Sequence, residues 1–284
     1  MKRTKGKDEK CRLIHGDCLI EMDKLIAQGI KVDLTVTSPP YDNLRTYEGS
    51  LDWGEYIWKP VIEKLYQITK DGGVVVWVVG DATIKGSESG TSFKQALYFM
   101  EVGFKISDTM IYQKHNPTPN TGNGKRYQQS FEYMFVFSKG IQKTSNLILE
   151  PRRNTCDDKR TQRIIKRQRN KDGEFEEAHL YVIKENIPRS NIWNYKVGLY
   201  NTTSDKEAFS HPAIFPESLA KDHILSWSNE GDTVFDPFMG SGTTGKMAIT
   251  SNREFIGIEL VEKYFNISKK RVDIANKNYQ PELF

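Results

Sequence analysis

The run Val74-Val75-Val76-Trp77-Val78-Val79 is apolar at every position. Successive side chains of an extended segment point to opposite faces, so this run has no solvent side and must be covered on both. It predicts an interior strand of a parallel sheet with helices above and below. The surrounding pattern agrees: between residues 11 and 138 short β-rich runs alternate with helical ones, the mark of the α/β class. Arg12 to His15 and Val32 to Val36 read as strands around the helical stretch CLIEMDKLIAQG. Tyr56, Ile57, Val61, Leu65 and Ile68 recur at three- and four-residue spacing, which predicts a longer helix ended by the turn Asp71-Gly72-Gly73. Lys105 to Gln113 and Phe131 to Phe137 read as two more strands, at the sheet edge.

The α/β pattern stops near residue 139 and resumes at 211, with a helix from about Pro216 to Trp227, the strand TVFDPF, a turn and helix, the strand EFIGIEL and a final helix. Two strands make no stable sheet alone, so these join the N-terminal one. The expected organisation is therefore residues 1–138 and 206–284 as two parts of one domain, with 139–205 inserted. Within that insertion, Arg152 to Lys171 carries nine Lys or Arg against two Asp, a local balance of +7. The whole chain nets only +4, so the remainder is slightly acidic. A basic segment of this kind suits a surface facing polyanionic phosphate; a solvated, unpartnered insertion is the alternative.

Composition removes several classes. Cys11, Cys18 and Cys156 are too few and too odd in number for a secreted disulfide framework, and none lies in a CxxC pair, so a structural zinc is not expected and a reducing cytoplasm is. The longest strongly apolar run, Val74 to Val79, falls far short of the roughly 20 residues of a bilayer span. The basic opening MKRTKGKDEK is not followed by the apolar stretch of an export signal.

Two motifs carry chemistry. In DTVFDPFMGSGTTGKMAI a β-rich run leads through Gly240-Ser241-Gly242-Thr243-Thr244-Gly245 into a helix. Glycines let the backbone approach a ligand closely, and a helix N-terminus offers unpaired N–H groups. Glu259 ends the next strand, where an acid can accept hydrogen bonds from both hydroxyls of a ribose. A nucleoside-containing cofactor follows, dinucleotide or not. The second motif, Thr37-Ser38-Pro39-Pro40-Tyr41, leaves the strand VDLTV at its carboxyl end, where open α/β sheets bind ligands. Paired prolines stiffen the turn and supply carbonyls without N–H donors. An exocyclic amino group on a nucleobase is a poor nucleophile because its lone pair is delocalised into the ring. Acceptors for both its N–H bonds, here the Ser38 hydroxyl and the Pro39 carbonyl, favour a pyramidal nitrogen, and the Tyr41 ring can stack on the base.

TSPPY together with FDPFMGSGTT resembles the amino-group DNA methyltransferases that use S-adenosylmethionine, and the motif order resembles their beta class. That resemblance covers most of the chain outside about residues 139–205. It implies a Rossmann-like methyltransferase fold with a circularly permuted, mostly parallel sheet, a chain that starts inside the sheet, and an inserted target-recognition region. It also implies site residues. Asp17 would contact the cofactor's adenine amino group, the run His211-Pro212-Ala213-Ile214-Phe215-Pro216 would lie beside its methionine end, and Glu259 would hold the ribose. Asp236, Phe238, Gly240, Ser241, Gly242 and Thr243 would form the cofactor loop, and Ser38, Pro39, Pro40 and Tyr41 the catalytic turn. Read as residues alone, Asp17 also suits a helix N-cap and His211 a cap for the helix after it.

Ser before Pro-Pro-Tyr usually accompanies cytosine N4 methylation in this family, whereas Asp or Asn there accompanies adenine N6. A hydroxyl both donates and accepts, matching the adjacent N3 acceptor and N4 donor of cytosine. C5 methylation needs a cysteine nucleophile, usually after proline, and none of the three cysteines follows one. The expected reaction is attack of a flipped-out cytosine N4 on the sulfonium methyl, with neither metal nor covalent intermediate. Double-stranded DNA would be held by Arg45 in the loop after Tyr41 and by Arg152, Arg153, Arg163, Lys166 and Arg167. Gln128, Gln129 and Glu132 are candidates to line the base pocket. A cognate restriction endonuclease and a homodimer are partners suggested by analogy, in a prokaryotic cytoplasm or on a phage genome. The rivals are an adenine-N6 enzyme, a nicotinamide-dependent dehydrogenase, which leaves Ser38 to Tyr41 unexplained, and a DNA-binding protein whose catalysis is lost.

Overall fold

The computed structural model describes residues 10–41, 53–117, 126–152, 163–166, 169–175, 179–182, 185–198, 201–214 and 216–278, with 163–166 and 179–182 as backbone only. The chain divides into two compact units, residues 1–146 with 191–284, and residues 147–190.

In the larger unit β1 (Cys11–His15), α1 (Cys18–Ala27), β2 (Val32–Thr37), α2 (Glu55–Ile68) and β3 (Thr69–Val79) are followed by a short hairpin, β4 (Thr83–Ile84) and β5 (Ser87–Glu88). Then come α3 (Thr91–Val102), β6 (Lys105–Lys114) and β7 (Phe131–Ser138). The smaller unit contains β8 (Leu149–Pro151), β9 (Arg163–Lys166), β10 (His179–Val182) and β11 (Asn186–Pro188), paired antiparallel as β8 with β11 and β9 with β10. The larger unit resumes with β12 (Ile192–Tyr195), a 3₁₀ turn at Lys206–Ser210, α4 (Glu217–Trp227), β13 (Thr233–Asp236), α5 (Thr243–Thr250), β14 (Glu254–Glu259) and α6 (Glu262–Asn278).

Eight strands form one sheet in the order β1-β14-β13-β2-β3-β7-β6-β12. Pairing is parallel from β1 through β3, antiparallel on both sides of β7, and parallel again between β6 and β12. The permutation is visible in β13, which comes late in the chain yet lies between β14 and β2. The expected start inside the sheet is corrected: β1, the first described strand, is its edge. The opposite edge is β12, a strand that the sequence pattern leaves inside the insertion, so β6 and β7 are interior rather than marginal.

β3 is buried along its whole apolar run, as its composition requires. Val75, Trp77 and Val79 pack into a core with Trp58, Ile62 and Leu65 of α2 and Phe99 of α3, while Val74, Val76 and Val78 on the other face are buried too. Phe99 stacks on Phe137 at 4.1 Å, and Trp77 donates its indole N–H to Gln95 Oε1 at 2.7 Å, which satisfies a polar atom in the core. Two expectations need correction. The Asp71-Gly72-Gly73 turn is absorbed into β3 as a bulge, because the register jumps from Val32 opposite Thr69 to Leu34 opposite Val74. Tyr56 is 64% exposed, since the true stripe of α2 runs through Ile57, Trp58, Val61, Ile62, Leu65 and Ile68.

Candidate active site

The loop from β13 to α5 is fixed from beneath. Asp236 is buried at the strand end, where its carboxylate accepts from Thr37 Oγ1 at 2.6 Å and from the Phe238 amide at 3.0 Å. Burial pushes its carboxyl up to about 7. Thr37 immediately precedes Ser38, so this contact ties the Ser-Pro-Pro-Tyr turn to the glycine loop. Gly242 opens α5 at φ +80°, where a Cβ would stand 2.8 Å from Ser268, and a Cβ on Gly245 would meet Phe255 at 2.6 Å. Only glycine lets α5 lie this close to α6 and β14.

Arg271 on α6, 3% exposed, closes the back of the loop. It donates to the Ser241 carbonyl at 2.6 Å and pairs with Asp205 at 2.9 Å and Glu217 at 2.7 Å. Ser241 and Thr243 therefore meet the arginine, and Asp236, Gly242 and these two lie behind the loop rather than along the cavity in front of it.

That cavity is lined by Asp17, His211, Phe238, Gly240 and Glu259 of the expected residues, joined by Trp53 and Ile57, which sequence reasoning missed. The Glu259 carboxylate, raised in pKa by burial, accepts from the Gly240 amide at 2.7 Å through Oε2 and from the Val261 amide at 2.9 Å through Oε1. Asp17 serves two purposes: Oδ1 caps α1 by accepting from Leu19 and Ile20 amides at 2.8 and 3.2 Å, and the residue also lines the cavity. His211 does not cap α4, whose N-cap is Pro216 without a side-chain bond. Its ring packs on Tyr264 at 4.4 Å, and Nε2 stands 3.0 Å from where a Cβ on Gly240 would sit. A buried carboxylate, an edge-to-face Trp53 and Phe238 pair at 5.4 Å and a glycine against an imidazole fit a nucleoside whose sugar hydroxyls need acceptors.

A second, open cleft of about 860 Å³ adjoins it. Ser38 and His211 line both spaces, while Pro40 faces the first and Pro39, Tyr41 and Pro212 the second. In the cleft the Ser38 and Tyr41 hydroxyls are 2.8 Å apart, Tyr41 donates to Glu132 Oε2 at 3.0 Å, and Lys114 pairs with Glu132 Oε1 at 2.6 Å. Gln129 also lines the cleft; Gln128 is exposed and donates to the Pro117 carbonyl instead. Arg45, Arg153, Arg167 and Phe215 lie outside the described residues. Arg163 and Lys166 are described by backbone alone, on β9, and Arg152 is half-buried with its amide bonded to Glu185 O at 2.9 Å.

Residues 32–270 match the N6/N4 family described as DNA methylase. The chain belongs to that family. The methylase is 53% identical over 249 residues to the orphan methyltransferase M.BamHII of Bacillus amyloliquefaciens, covering 87% of this chain and 89% of that one. It is 28% identical over 285 residues to the DNA adenine methyltransferase YhdJ of Escherichia coli K12, with coverages of 99% and 88%. Among solved structures it resembles the cytosine-N4-specific PvuII DNA methyltransferase (TM-score 0.66, 18% identity, 98% and 92% covered). It also resembles the M1.HpyAVI complex with S-adenosylmethionine (TM-score 0.61, 22% identity, 92% and 99% covered). The methylase is thus a DNA methyltransferase of the N6/N4 type, a family dependent on S-adenosylmethionine. Among its described residues no helix is long and apolar enough to cross a membrane.

Proposed function

We propose that this methylase moves the methyl group of S-adenosylmethionine to the exocyclic N4 of a cytosine turned out of double-stranded DNA. The observation that carries the reading is the position of Ser38, which lines the nucleoside-sized cavity and the open cleft alike. Glu259 would hold the ribose hydroxyls, Asp17 the adenine edge, and Phe238 with Trp53 the ring, leaving the amino-acid end near His211. When bound, the cofactor supplies a methyl already activated by positive sulfur. The chain's own work is to hold the amine in line with it, an arrangement that can contribute about 7–11 kcal/mol. The Ser38 hydroxyl and the Pro39 carbonyl accept from the amine, and the Tyr41 ring stacks on the base.

The choice of cytosine rests on Ser38 before Pro-Pro-Tyr. Adenine N6 is the second reading, favoured by the similarity to an adenine methyltransferase along 99% of this chain. Duplex DNA of mixed sequence, incubated with protein and methyl-labelled cofactor and then hydrolysed to nucleosides, separates them by mass spectrometry. Labelled N4-methylcytosine is expected; labelled N6-methyladenine replaces the base while keeping the chemistry.

The basic segment of the smaller unit, residues 147–190, is the proposed target-recognition surface, its arginines and lysines positioning the duplex through phosphates. A cytoplasmic setting and a homodimer belong to the same proposal, and a cognate restriction endonuclease is the alternative to a chain that acts alone. The similarity to an orphan methyltransferase favours a chain working without the endonuclease.

A further inference from the structure

The hydroxyls of Ser38 and Tyr41 and the carboxylate of Glu132 form one line in the cleft, at 2.8 and 3.0 Å, with Lys114 beyond at 2.6 Å. Hydrogen counting gives this line a direction. A carboxylate salt-bridged to an ammonium only accepts, so the phenol hydrogen of Tyr41 goes to Glu132. The Tyr41 oxygen then accepts from Ser38, whose single hydrogen is committed to the phenol. Ser38 is left presenting lone pairs alone, as an acidic side chain in its place would.

From this we infer that Glu132 is the positioning residue of the methyl-transfer site, fixing Ser38 as an acceptor and taking up the proton that the amine must lose. The inference rests on the proposed reaction but holds for cytosine N4 and adenine N6 equally. As the nitrogen lone pair forms the N–C bond and the electrons of the S–C bond stay on sulfur, one N–H proton passes to Ser38 Oγ. The Ser38 proton passes to Tyr41, the Tyr41 proton to Glu132 Oε2, and the neutral carboxyl later releases it to solvent. Lys114 balances the carboxylate before the transfer. The pairing of β6 with β7 sets Tyr112 directly opposite Glu132, and the carboxylate is held at both oxygens, by Tyr41 on Oε2 and by Lys114 on Oε1. The charged and titratable groups that line the cleft with it are Lys114 and Tyr112 on β6, Tyr41 after β2, Asp81 after β3 and His211.

The test uses the full chain, mixed-sequence duplex and saturating cofactor, comparing the wild type with Glu132→Gln, Tyr41→Phe and both together between pH 5 and 9. A proton acceptor of this kind is worth about 10²-fold or more, so Glu132→Gln is expected to lower turnover ~10²-fold with DNA and cofactor affinities within about threefold. Its pH profile should lose the acid limb of the wild type. Tyr41→Phe, which keeps the ring, should lose as much, and the double variant no more, because one line is cut in two places. Without cofactor or DNA, the ¹³Cζ resonance of Tyr41 should follow a carboxyl titration in the wild type and be flat in Glu132→Gln. Wild-type turnover in Glu132→Gln, losses that multiply in the double variant, or a Tyr41 resonance indifferent to the substitution would overturn the inference while leaving the proposed reaction standing. A wild type that labels no DNA amino group overturns both.

Discussion

The carboxylate of Glu259 accepts the backbone N–H of Gly240 at 2.7 Å across nineteen residues of sequence, joining the end of β14 to the loop that leaves β13. One side chain thereby shapes the glycine loop and presents its carboxylate to the cavity. Glu259→Ala should remove both effects and weaken S-adenosylmethionine binding by about 10- to 100-fold, the worth of a hydrogen bond to a charged group. Isothermal titration calorimetry measures this directly, and unaltered affinity would retire the ribose role.

Tyr41 sits on the other side of Ser38, in the open cleft. Tyr41→Ala should leave cofactor affinity within about twofold yet lower turnover by more than about 10²-fold, because it removes the hydroxyl of the Ser38 line together with base stacking on an aromatic ring, itself worth about 1–3 kcal/mol. Equal turnover in the variant would take Tyr41 out of the active site.

Arg271 is salt-bridged, almost fully buried and not part of the cavity it supports. Removing it leaves Asp205 and Glu217 with Lys246 of α5 as their remaining counter-charge, at 2.9 Å from each, so Arg271→Met should cost about 1–3 kcal/mol in urea unfolding, the worth of lost charge-assisted hydrogen bonds. Cofactor affinity should fall as well, since the Ser241 carbonyl loses its anchor. A stable variant with normal affinity would show that the loop holds itself.

Two buried groups give opposed pH dependences. Burial among Trp193, Trp227 and Met134 lowers His223 from 6.5 to about 3, so the unfolded chain takes up a proton below pH 6.5 that the folded chain refuses. That contribution is intact above pH 6.5 and is lost as pH falls toward 3. Asp236, raised to about 7, acts in reverse: its contribution is present below about pH 4 and is lost as pH rises through 7. The two overlap and offset each other between about pH 4 and 6.5, which hides both in the wild type. Their difference spectrum does not: the stability gap between wild type and His223→Leu should widen by about 1.4 kcal/mol per unit from pH 4 to 6.5. A constant gap would mean that His223 is protonated in the fold.

Neutralising Arg163, Lys166 and Arg167 together should weaken DNA binding and reduce the slope of log affinity against log salt by up to about 2.7, near 0.9 per lost phosphate contact. Fluorescence anisotropy at several salt concentrations checks this. An unchanged slope would move the DNA-facing surface away from β9.

Legibility followed locality. The buried run of β3, the strand before the glycine loop and the Ser-Pro-Pro-Tyr turn were all readable because their signals lie within a few residues. Arg271 was not, because its partners Asp205, Glu217 and Ser241 are scattered along the chain; the one local hint is a charge on the buried stripe formed by Ser268, Val272 and Ala275 of α6. Ile57 reads as a helix-packing residue and belongs to the cavity wall as well, while Trp53, ahead of α2, stands in no local pattern. β12 was missed because four residues in a polar stretch carry too little pattern, and its place is set by pairing with β6. Tyr56 erred the other way, having the right spacing on the wrong side of the stripe.

The position of β13 between β14 and β2 has a consequence for biosynthesis. A chain emerging from the ribosome produces β1 and β2 early, but among the described residues the strand that pairs with β1 is β14, and β2 lacks its β13 neighbour until residue 233 has appeared. Through most of translation the growing sheet therefore has one unfinished margin on β2 and a detached strand with no ladder, both open to mispairing. The stretch from β13 to α6 closes that gap and builds the cavity lined by Phe238, Gly240 and Glu259 in the same act. Nascent fragments that stop short of α5 would thus hold the Ser38 turn without the cavity beside it, so a formed cavity doubles as a report that translation has passed β14.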